Sequence, residues 1–311
     1  MAQLGRLLLK EARPRQVLKN LALYTGLVFS GWLFIAEKFW AVTVSFIIFS
    51  LLTASVYIFN DIVDMPADRQ HPYKKIRPLA SGRLATGQAL FFSLAGIFIS
   101  LALGWSVSFF LFLTMIGYLV LQLVYTLSLK HKPILDVMTI ALGFLLRVYG
   151  GAMIIGAHLN VWLLLCIISF SLFLAVGKRR SELTLLQGQS ASWRTRRVLG
   201  HYPEKLLDLY TAMFANTTWL TYALFTFMFP AFAFKGKVLT WLAVLPHTFR
   251  SEKWLMATIP LVIYGVMRYL QLIYEKNEGE SPEKILTADK PMLITVGVWG
   301  LMVVGILYGL G

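Results

Sequence analysis

Four polar side chains at the end of an apolar stretch could carry out chemistry together. Asn60, Asp61, Asp64 and Asp68 are spaced so that they share one face of a helix. Like charges this close repel one another, and near a bilayer they need a neutralising cation. Oxygen ligands suit Mg²⁺, which exchanges its waters for substrate phosphates, so the spacing predicts a magnesium site. The alternative is an acidic helix end that is solvated among the lipid headgroups.

A basic segment follows these acids directly. It is stiffened by Pro72 and Pro78, and a metal site beside fixed cations is suited to a diphosphate. The alternative is a loop kept in the cytoplasm by its positive charge, which explains the sign of the charges but not their position next to the acids. We expect four of these cations to bind substrate: Arg69, Lys74, Lys75 and Arg77.

The hydropathy of the chain places these side chains in a membrane protein. Of 311 residues, 58% are hydrophobic and 14% are charged, and the mean hydropathy is +0.68. The sequence predicts an all-α polytopic membrane protein and excludes a separate water-soluble catalytic domain. Nine apolar stretches could cross the bilayer, near 17–36, 40–60, 87–105, 107–128, 135–156, 160–177, 207–230, 255–274 and 292–310.

The charge is lopsided, with 29 Lys and Arg against 15 Asp and Glu and a formal net charge of +14. Either these cations retain loops in the cytoplasm or some of them bind a polyanionic substrate. By the positive-inside rule, the N-terminus is cytoplasmic in a bacterial inner membrane. The expected partner surface is the bilayer, and no nucleic acid is expected.

The expected organisation is a single integral-membrane catalytic domain over residues 1–311. Residues 1–16 are predicted to form an amphipathic helix at the interface, because Leu4, Leu7 and Leu8 alternate with basic residues. Residues 61–86 and 177–206 are predicted to be cytoplasmic active-site loops. The one cysteine, Cys166, and five scattered histidines offer no thiolate or zinc site.

Arg147 is placed near the middle of the bilayer, roughly 16 Å along the fifth span from Asp136. Gly143, Arg147 and Gly151 share one helix face, which leaves room for the guanidinium. Because a charge at this depth is costly, Arg147 either faces a polar cavity or pairs with an acid. Asp136 is either a ligand or a helix N-terminal carboxylate.

Several motifs resemble one family of membrane enzymes. Asn60-Asp61-x-x-Asp64-x-x-x-Asp68, followed by Arg77-Pro-Leu-Ala-Ser-Gly, is similar to the first acidic motif of the UbiA superfamily of intramembrane prenyltransferases. The resemblance covers almost the whole chain. Other motifs resemble a branch that acts on polyprenyl phosphates: Arg13-Pro-Arg-Gln-x-x-Lys19-Asn20, Tyr125-x-x-x-Leu-Lys130-His131-x-x-x-Leu-Asp136, Gly143-Phe-x-x-Arg147-x-x-Gly150-Gly151, Gly177-Lys178-Arg179-x-x-Glu182, and Glu283 with Asp289.

The resemblance implies a nine-helix bundle around a cavity that opens to the cytoplasm and laterally to lipid. It implies Mg²⁺-dependent transfer of 5-phosphoribose from phosphoribosyl diphosphate to a polyprenyl phosphate of the decaprenyl type, in the synthesis of cell-envelope arabinan precursors. The implied catalytic residues are Asp61, Asp64, Asp68, Lys130 and Arg147. Besides the basic segment, the implied substrate-binding residues are Lys19, Asn20, Asn60, Tyr125, His131, Asp136, Lys178, Arg179 and Glu182.

One departure from ordinary prenyltransferases bears on the substrate. Where those enzymes carry a second D-x-x-x-D, this chain has Lys178-Arg179-Arg180-Ser181-Glu182. Phosphoribosyl diphosphate has a 5-phosphate that isoprenyl diphosphates lack, and these cations could bind it. Retention of a cytoplasmic loop is the alternative for one or two of them. Two other functions remain open, a prenyltransferase with an aromatic acceptor and a transporter of an anionic substrate.

Overall fold

A computed structural model describes residues 2–70, 74–187, 197–229, 253–276, 285 and 288–309. No β-strand occurs among these residues, which form α-helices, 3₁₀ segments and a π-helical turn at Gly305–Gly309. The ten α-helices are α1 (Ala2–Glu11), α2 (Tyr24–Phe29), α3 (Ala36–Gln70), α4 (Thr86–Val107), α5 (Phe109–Leu127), α6 (Leu135–Ile155), α7 (Val161–Gln187), α8 (Glu204–Met228), α9 (Ile259–Lys276) and α10 (Lys290–Val304).

The membrane-protein prediction is confirmed. Seven helical segments of the described residues are long and apolar enough to cross a bilayer: Ala36–Gln70, Thr86–Val107, Phe109–Leu127, Leu135–Ile155, Val161–Thr184, Trp254–Glu275 and Lys290–Gly309. Helix α8 is not among these seven segments, but it overlaps the predicted span 207–230. Eight of the nine predicted spans therefore correspond to helices α3–α10. The ambiguous stretch between 227 and 254 lies largely outside the described residues.

The first predicted span, 17–36, is not one continuous helix, so this prediction was wrong. Pro14–Leu23 form a 3₁₀ helix, and α2 ends at Phe29. Gly31 then has φ +76°, a left-handed conformation that ends helices and that glycine adopts readily. Hydropathy detects the apolar run but not this interruption of its backbone hydrogen bonds.

The two charged segments begin as helices rather than as loops. Helix α3 continues through the acidic motif to Gln70, and α7 continues through the basic motif to Gln187. Charged residues cost a helix little, so loss of hydropathy does not end it. The remainder of each predicted loop includes residues 71–73 and 188–196, which lie outside the described residues.

Helix α1 packs against apolar side chains from α3 and from the segment that follows the acidic motif. Leu4 and Leu8 lie against a small apolar cluster that contains Ile58, Leu79 and Leu84. Burial of leucine side chains stabilises this contact, since each gains about 1.5–3 kcal/mol when fully removed from water. The predicted helix at residues 1–16 is thus present over Ala2–Glu11. The location of that helix at the interface stays a prediction.

The chain divides into two compact units. The first contains Met1–His158 and Leu183–Leu206, and the second contains Leu159–Glu182 and Leu207–Gly311. In the first unit, Gly151 lets α6 approach closely, because a Cβ atom there would lie 1.9 Å from the Leu23 carbonyl oxygen. In the second, Phe173, Tyr269 and Ile273 lie in a buried apolar cluster. The single catalytic domain stays a prediction.

Candidate active site

The acidic motif on α3 is bound by a cation from the segment that follows it. Asp61 and Asp68 are seven residues apart, two helical turns, so they lie on the same face of α3. The Nη1 atom of Arg77 donates to both, at 3.1 Å to Asp61 Oδ1 and 2.5 Å to Asp68 Oδ2. Both carboxylates are buried. The structure therefore brings together three of the predicted site residues.

A second guanidinium, which the predicted site did not include, reaches the same carboxylate. Arg13 donates through Nη2 to Asp61 Oδ1, and its guanidinium lies 5.7 Å from the centre of the Tyr57 ring. Arg13 has φ +51°, which is uncommon for a residue other than glycine and is found disproportionately at functional sites. The signal in the sequence was its position in the Arg13-Pro-Arg-Gln motif.

The remaining members of the motif contact α5 and the turn after it. Lys130, in the 3₁₀ turn Leu129–His131, donates to Asp64 Oδ1 at 2.5 Å. Thr126 donates to Asn60 Oδ1, also at 2.5 Å. Lys130 thus lies against the acidic motif, but Asp64 has a different cation partner from Asp61 and Asp68.

Glu11 is a buried carboxyl group that the sequence analysis missed. It is 1% exposed and accepts a hydrogen bond from the Leu79 backbone nitrogen at 2.6 Å. Its pKa is raised to about 7, first by burial and then by the carboxylate of Asp61, while the Leu79 hydrogen bond and the charge of Arg13 act in the opposite direction. The only signal in the sequence was that Glu11 is the one acidic residue in a basic N-terminal segment.

The basic segment includes cations with different surroundings. Arg69 donates through Nε to the Ala80 carbonyl oxygen at 3.3 Å, and Arg83 donates to the Ile76 carbonyl oxygen. Lys74 is half-buried and Lys75 is exposed. The two arginines therefore hold the fold of the segment, whereas Lys75 lies at its surface. Substrate binding by Arg69, Lys74 and Lys75 stays a prediction.

Arg147 is 4% exposed and makes its hydrogen bonds to neutral groups. It donates to Asn20 Oδ1 at 2.8 Å, to the Gly143 carbonyl oxygen at 2.7 Å and to the Tyr118 hydroxyl at 3.0 Å. The guanidinium also lies 4.7 Å from the centre of the Tyr118 ring. No carboxylate pairs with it in the described part of the chain, so the ion pair considered from the sequence is not found there.

Asn20 completes this second polar cluster, and Asp136 lies in a third. Asn20 donates to Ser50 and to Thr53, both at 3.0 Å, so it links the 3₁₀ helix Pro14–Leu23 to α3.

Asp136, in the first turn of α6, accepts from the Tyr202 hydroxyl at 2.8 Å. These contacts favour the interpretation of Asp136 as a helix N-terminal carboxylate.

Three other predicted residues lie on the elements that surround the acidic motif. Lys19 and Tyr125 are half-buried, on the 3₁₀ helix Pro14–Leu23 and on α5. His131 is exposed, one residue after Lys130. Their predicted contacts with substrate stay predictions.

The basic motif of α7 lies in the second unit. Arg179 is 1% exposed and donates to Glu182 Oε2 at 2.8 Å, one helical turn away. Arg180 donates through Nε to Asp208 Oδ1 at 3.0 Å, while Lys178 is half-buried. Two of the cations thus have carboxylate partners inside this unit.

The acidic motif offers oxygen ligands of the kind that a divalent cation needs. The Oδ2 atom of Asp61 is buried and accepts no hydrogen bond from the described residues, which is costly for a carboxylate unless a proton or cation is near. No three His, Cys, Asp or Glu side chains within the described ranges are close enough to form a metal cage. Mg²⁺ commonly takes one or two carboxylates and completes its coordination with water and substrate phosphates. The donor set therefore fits a magnesium ion bound together with a phosphate substrate.

The comparison with protein families decides the class to which this site belongs. The model of the UbiA prenyltransferase family matches residues 21–288. The chain belongs to the UbiA family. The resemblance inferred from the motifs is therefore confirmed, and this UbiA protein is a multi-pass membrane transferase.

Individual relatives agree with that membership. The decaprenyl-phosphate phosphoribosyltransferase of Mycolicibacterium smegmatis is 32% identical over 303 residues, covering 94% of this chain and 89% of the relative. The protein of the same name from Corynebacterium glutamicum is 28% identical over 305 residues, covering 97% and 86%. A UbiA homologue from Archaeoglobus fulgidus, solved with GPP and Mg²⁺, has a TM-score of 0.66 at 19% identity, over 97% of this chain and 99% of that one.

Proposed function

We propose that this UbiA protein transfers 5-phosphoribose from phosphoribosyl diphosphate to a polyprenyl phosphate of the decaprenyl type and releases diphosphate. The observation that carries the proposal is the set of guanidinium and ammonium groups on the carboxylates of α3, from Arg13, Arg77 and Lys130. Relatives named decaprenyl-phosphate phosphoribosyltransferase support the choice of substrates. The product would serve the synthesis of cell-envelope arabinan precursors.

The oxygens of the acidic motif, from Asn60, Asp61, Asp64 and Asp68, would supply Mg²⁺ with one or two carboxylate ligands, and water and substrate phosphates would complete its coordination. The bound ion would neutralise charge on the departing diphosphate. Arg77 and Lys130 lie against the same carboxylates, so they would bind diphosphate oxygens as the C1–O bond breaks. Because these cations are already oriented by ion pairs, little reorganisation would be needed in the transition state.

The acceptor needs no general base, since a lipid phosphate is already an anion near neutral pH. Its oxygen would attack C1 as the diphosphate leaves, through an oxocarbenium-like transition state. The polyprenyl chain would extend laterally into the bilayer, which is consistent with an enzyme built from membrane-crossing helices. Lys178 would bind the 5-phosphate, and Arg179, which is buried and paired with Glu182, would add positive charge beside it.

A single assay tests this function against its alternatives. Purified protein in nanodiscs receives Mg²⁺, phosphoribosyl diphosphate labelled in the ribose, and decaprenyl phosphate. We expect label in the organic phase, none in excess EDTA, and none when the lipid phosphate is omitted. Efficient transfer from geranyl diphosphate to an aromatic acceptor, without ribose transfer, would instead indicate a prenyltransferase. Uptake of labelled donor into sealed vesicles without any lipid product would indicate a transporter.

A further inference from the structure

Two residues other than glycine have a positive φ in the described ranges, and both lie in turns beside the acidic motif. They are Arg13, at φ +51°, and Ile134, at φ +68°. Such a φ is a true outlier for a β-branched residue, and the surrounding structure must hold it in place. Arg13 itself reaches Asp61, and Ile134 follows Lys130 by four residues in the turn between α5 and α6.

The strained residue is held by a tyrosine that is distant in sequence. The Tyr202 hydroxyl accepts a hydrogen bond from the Ile134 backbone nitrogen at 2.5 Å and donates one to Asp136 Oδ1 at 2.8 Å. Tyr202 is 3% exposed and Asp136 is fully buried. One hydroxyl therefore bridges the backbone of the strained residue and the first turn of α6.

Backbone hydrogen bonds span the turn that contains both Lys130 and Ile134. The Lys132 nitrogen donates to the Leu129 carbonyl at 3.0 Å, and the Asp136 nitrogen donates to the Lys132 carbonyl at 3.1 Å. Backbone hydrogen bonds therefore run through the turn from the end of α5 to the start of α6. A change of Ile134 to a negative φ would disturb the hydrogen bond between Asp136 and Lys132, which spans Ile134 in the turn that also carries Lys130.

We propose that Tyr202 is a positioning residue for Lys130. Its hydroxyl, together with the hydrogen bond from the Leu135 nitrogen to the Pro133 carbonyl oxygen at 2.8 Å, holds Ile134 at its positive φ, and this conformation sets the turn from which Lys130 reaches Asp64. Tyr202 acts through the turn and does not touch the substrate. The catalytic consequence rests on the proposed function, in which Lys130 binds the departing diphosphate, whereas the structural consequence does not.

The first test removes only the hydroxyl. For Tyr202→Phe we expect kcat to fall about tenfold, because Lys130 would be less well aligned in the transition state. The donor KM should change by no more than about twofold, since ground-state binding uses several other cations. Amide exchange in the peptide covering residues 129–136 should rise about tenfold. Tyr210→Phe, which alters a half-buried tyrosine on α8, is the matched control and should change neither kcat nor exchange.

The second test removes the strain instead. Glycine adopts φ +68° without steric cost, so Ile134→Gly makes the conformation independent of the hydroxyl. In the Ile134→Gly background, adding Tyr202→Phe should lower kcat by less than about threefold. If Tyr202→Phe alone yields no folded protein, this comparison within the glycine background decides the question by the same criterion.

Three results would overturn the positioning role. The first is an equal effect of Tyr202→Phe with and without the Ile134→Gly substitution, and the second is unchanged exchange in the 129–136 peptide. The third is loss of activity in proportion to loss of folded protein, with unchanged kcat per folded molecule. If the wild-type protein transfers no ribose, the proposed function fails, and the exchange measurement still tests the contact of Tyr202 with the turn.

Discussion

The acidic segment of α3 and the basic segment of α7 are both charged ends of long apolar helices, yet their charges are paired differently. Asp61, Asp64 and Asp68 take their cations from other elements, 9 to 66 residues away in sequence. Arg179 takes its partner from the same helix, three residues on, and Arg180 takes Asp208 from the next described α-helix.

The difference shows which segment is held together by several parts of the chain. Groups from several elements that converge on one set of carboxylates are held in place by the tertiary fold, as a preorganised site requires. An ion pair within one helix contributes mainly to the stability of that helix and its surroundings. Variants of both segments test this contrast, beginning with the largest expected effect.

Removal of one charge from the acidic segment should abolish activity without unfolding the protein. We expect Asp68→Asn to lower ribose transfer by at least about 1,000-fold, or ~4 kcal/mol, because a magnesium ligand and one of the two carboxylate partners of Arg77 are lost together. Glu37→Gln, which changes an exposed carboxyl at the other end of α3, is the control. Transfer assays with equal amounts of folded protein measure the effect. Full activity of Asp68→Asn would remove this residue from the site.

In the basic motif of α7, we expect one residue to affect mainly stability and its neighbour to affect mainly substrate binding. Arg179→Ala leaves Glu182 buried without its partner, and we expect a loss of about 3 kcal/mol of stability, seen as a lower Tm in detergent. Lys178→Ala should leave Tm nearly unchanged and raise the donor KM about tenfold. If both variants lower only Tm, the 5-phosphate does not bind to this segment.

Arg147 differs from both segments because it is a buried cation with neutral hydrogen-bond partners. We expect its substitution to lower mainly the stability of the protein. Arg147→Ala would leave the acceptors of Asn20, Gly143 and Tyr118 unsatisfied, at a cost of about 2–3 kcal/mol. Arg147→Lys should restore only part of this, because an ammonium group lacks the planar fork that reaches all three. Melting curves and turnover of both variants check this. A stable Arg147→Lys protein with little activity would point to contact with substrate.

Glu11 gives the smallest expected effect, a pH dependence of stability measured in EDTA. Its pKa is raised from 4.5 to about 7 in the folded protein, so its contribution to stability is full below pH 4.5 and is lost as the pH rises through 7. We expect Glu11→Gln to remove about 1–2 kcal/mol of the stability difference between pH 5 and pH 8, after allowing for solvent screening. Glu37→Gln should leave the difference unchanged. An unaltered pH profile in Glu11→Gln would show that the carboxyl is well solvated.

Much of the fold and the centre of the site were predictable from local pattern. Runs of apolar residues predicted eight of the helices, and helical periodicity alone placed Asp61 and Asp68 on one face of α3. The same patterns failed at 17–36, where the positive φ of Gly31 interrupts an otherwise apolar run. Hydropathy averages over many residues, whereas one backbone angle ends a helix.

The sequence by itself therefore determined the membrane helices, the acidic motif and membership of the UbiA family, because hydropathy, helical periodicity and motif spacing are local properties. Only the tertiary structure decided that Glu11 and Arg13 lie beside Asp61. It also decided that Lys130 pairs with Asp64 and that Arg147 has neutral partners. It also placed Tyr202 on the turn at Ile134, across 68 residues. Such contacts depend on how distant segments fold together, and the energy of an ion pair depends on the burial and geometry that result.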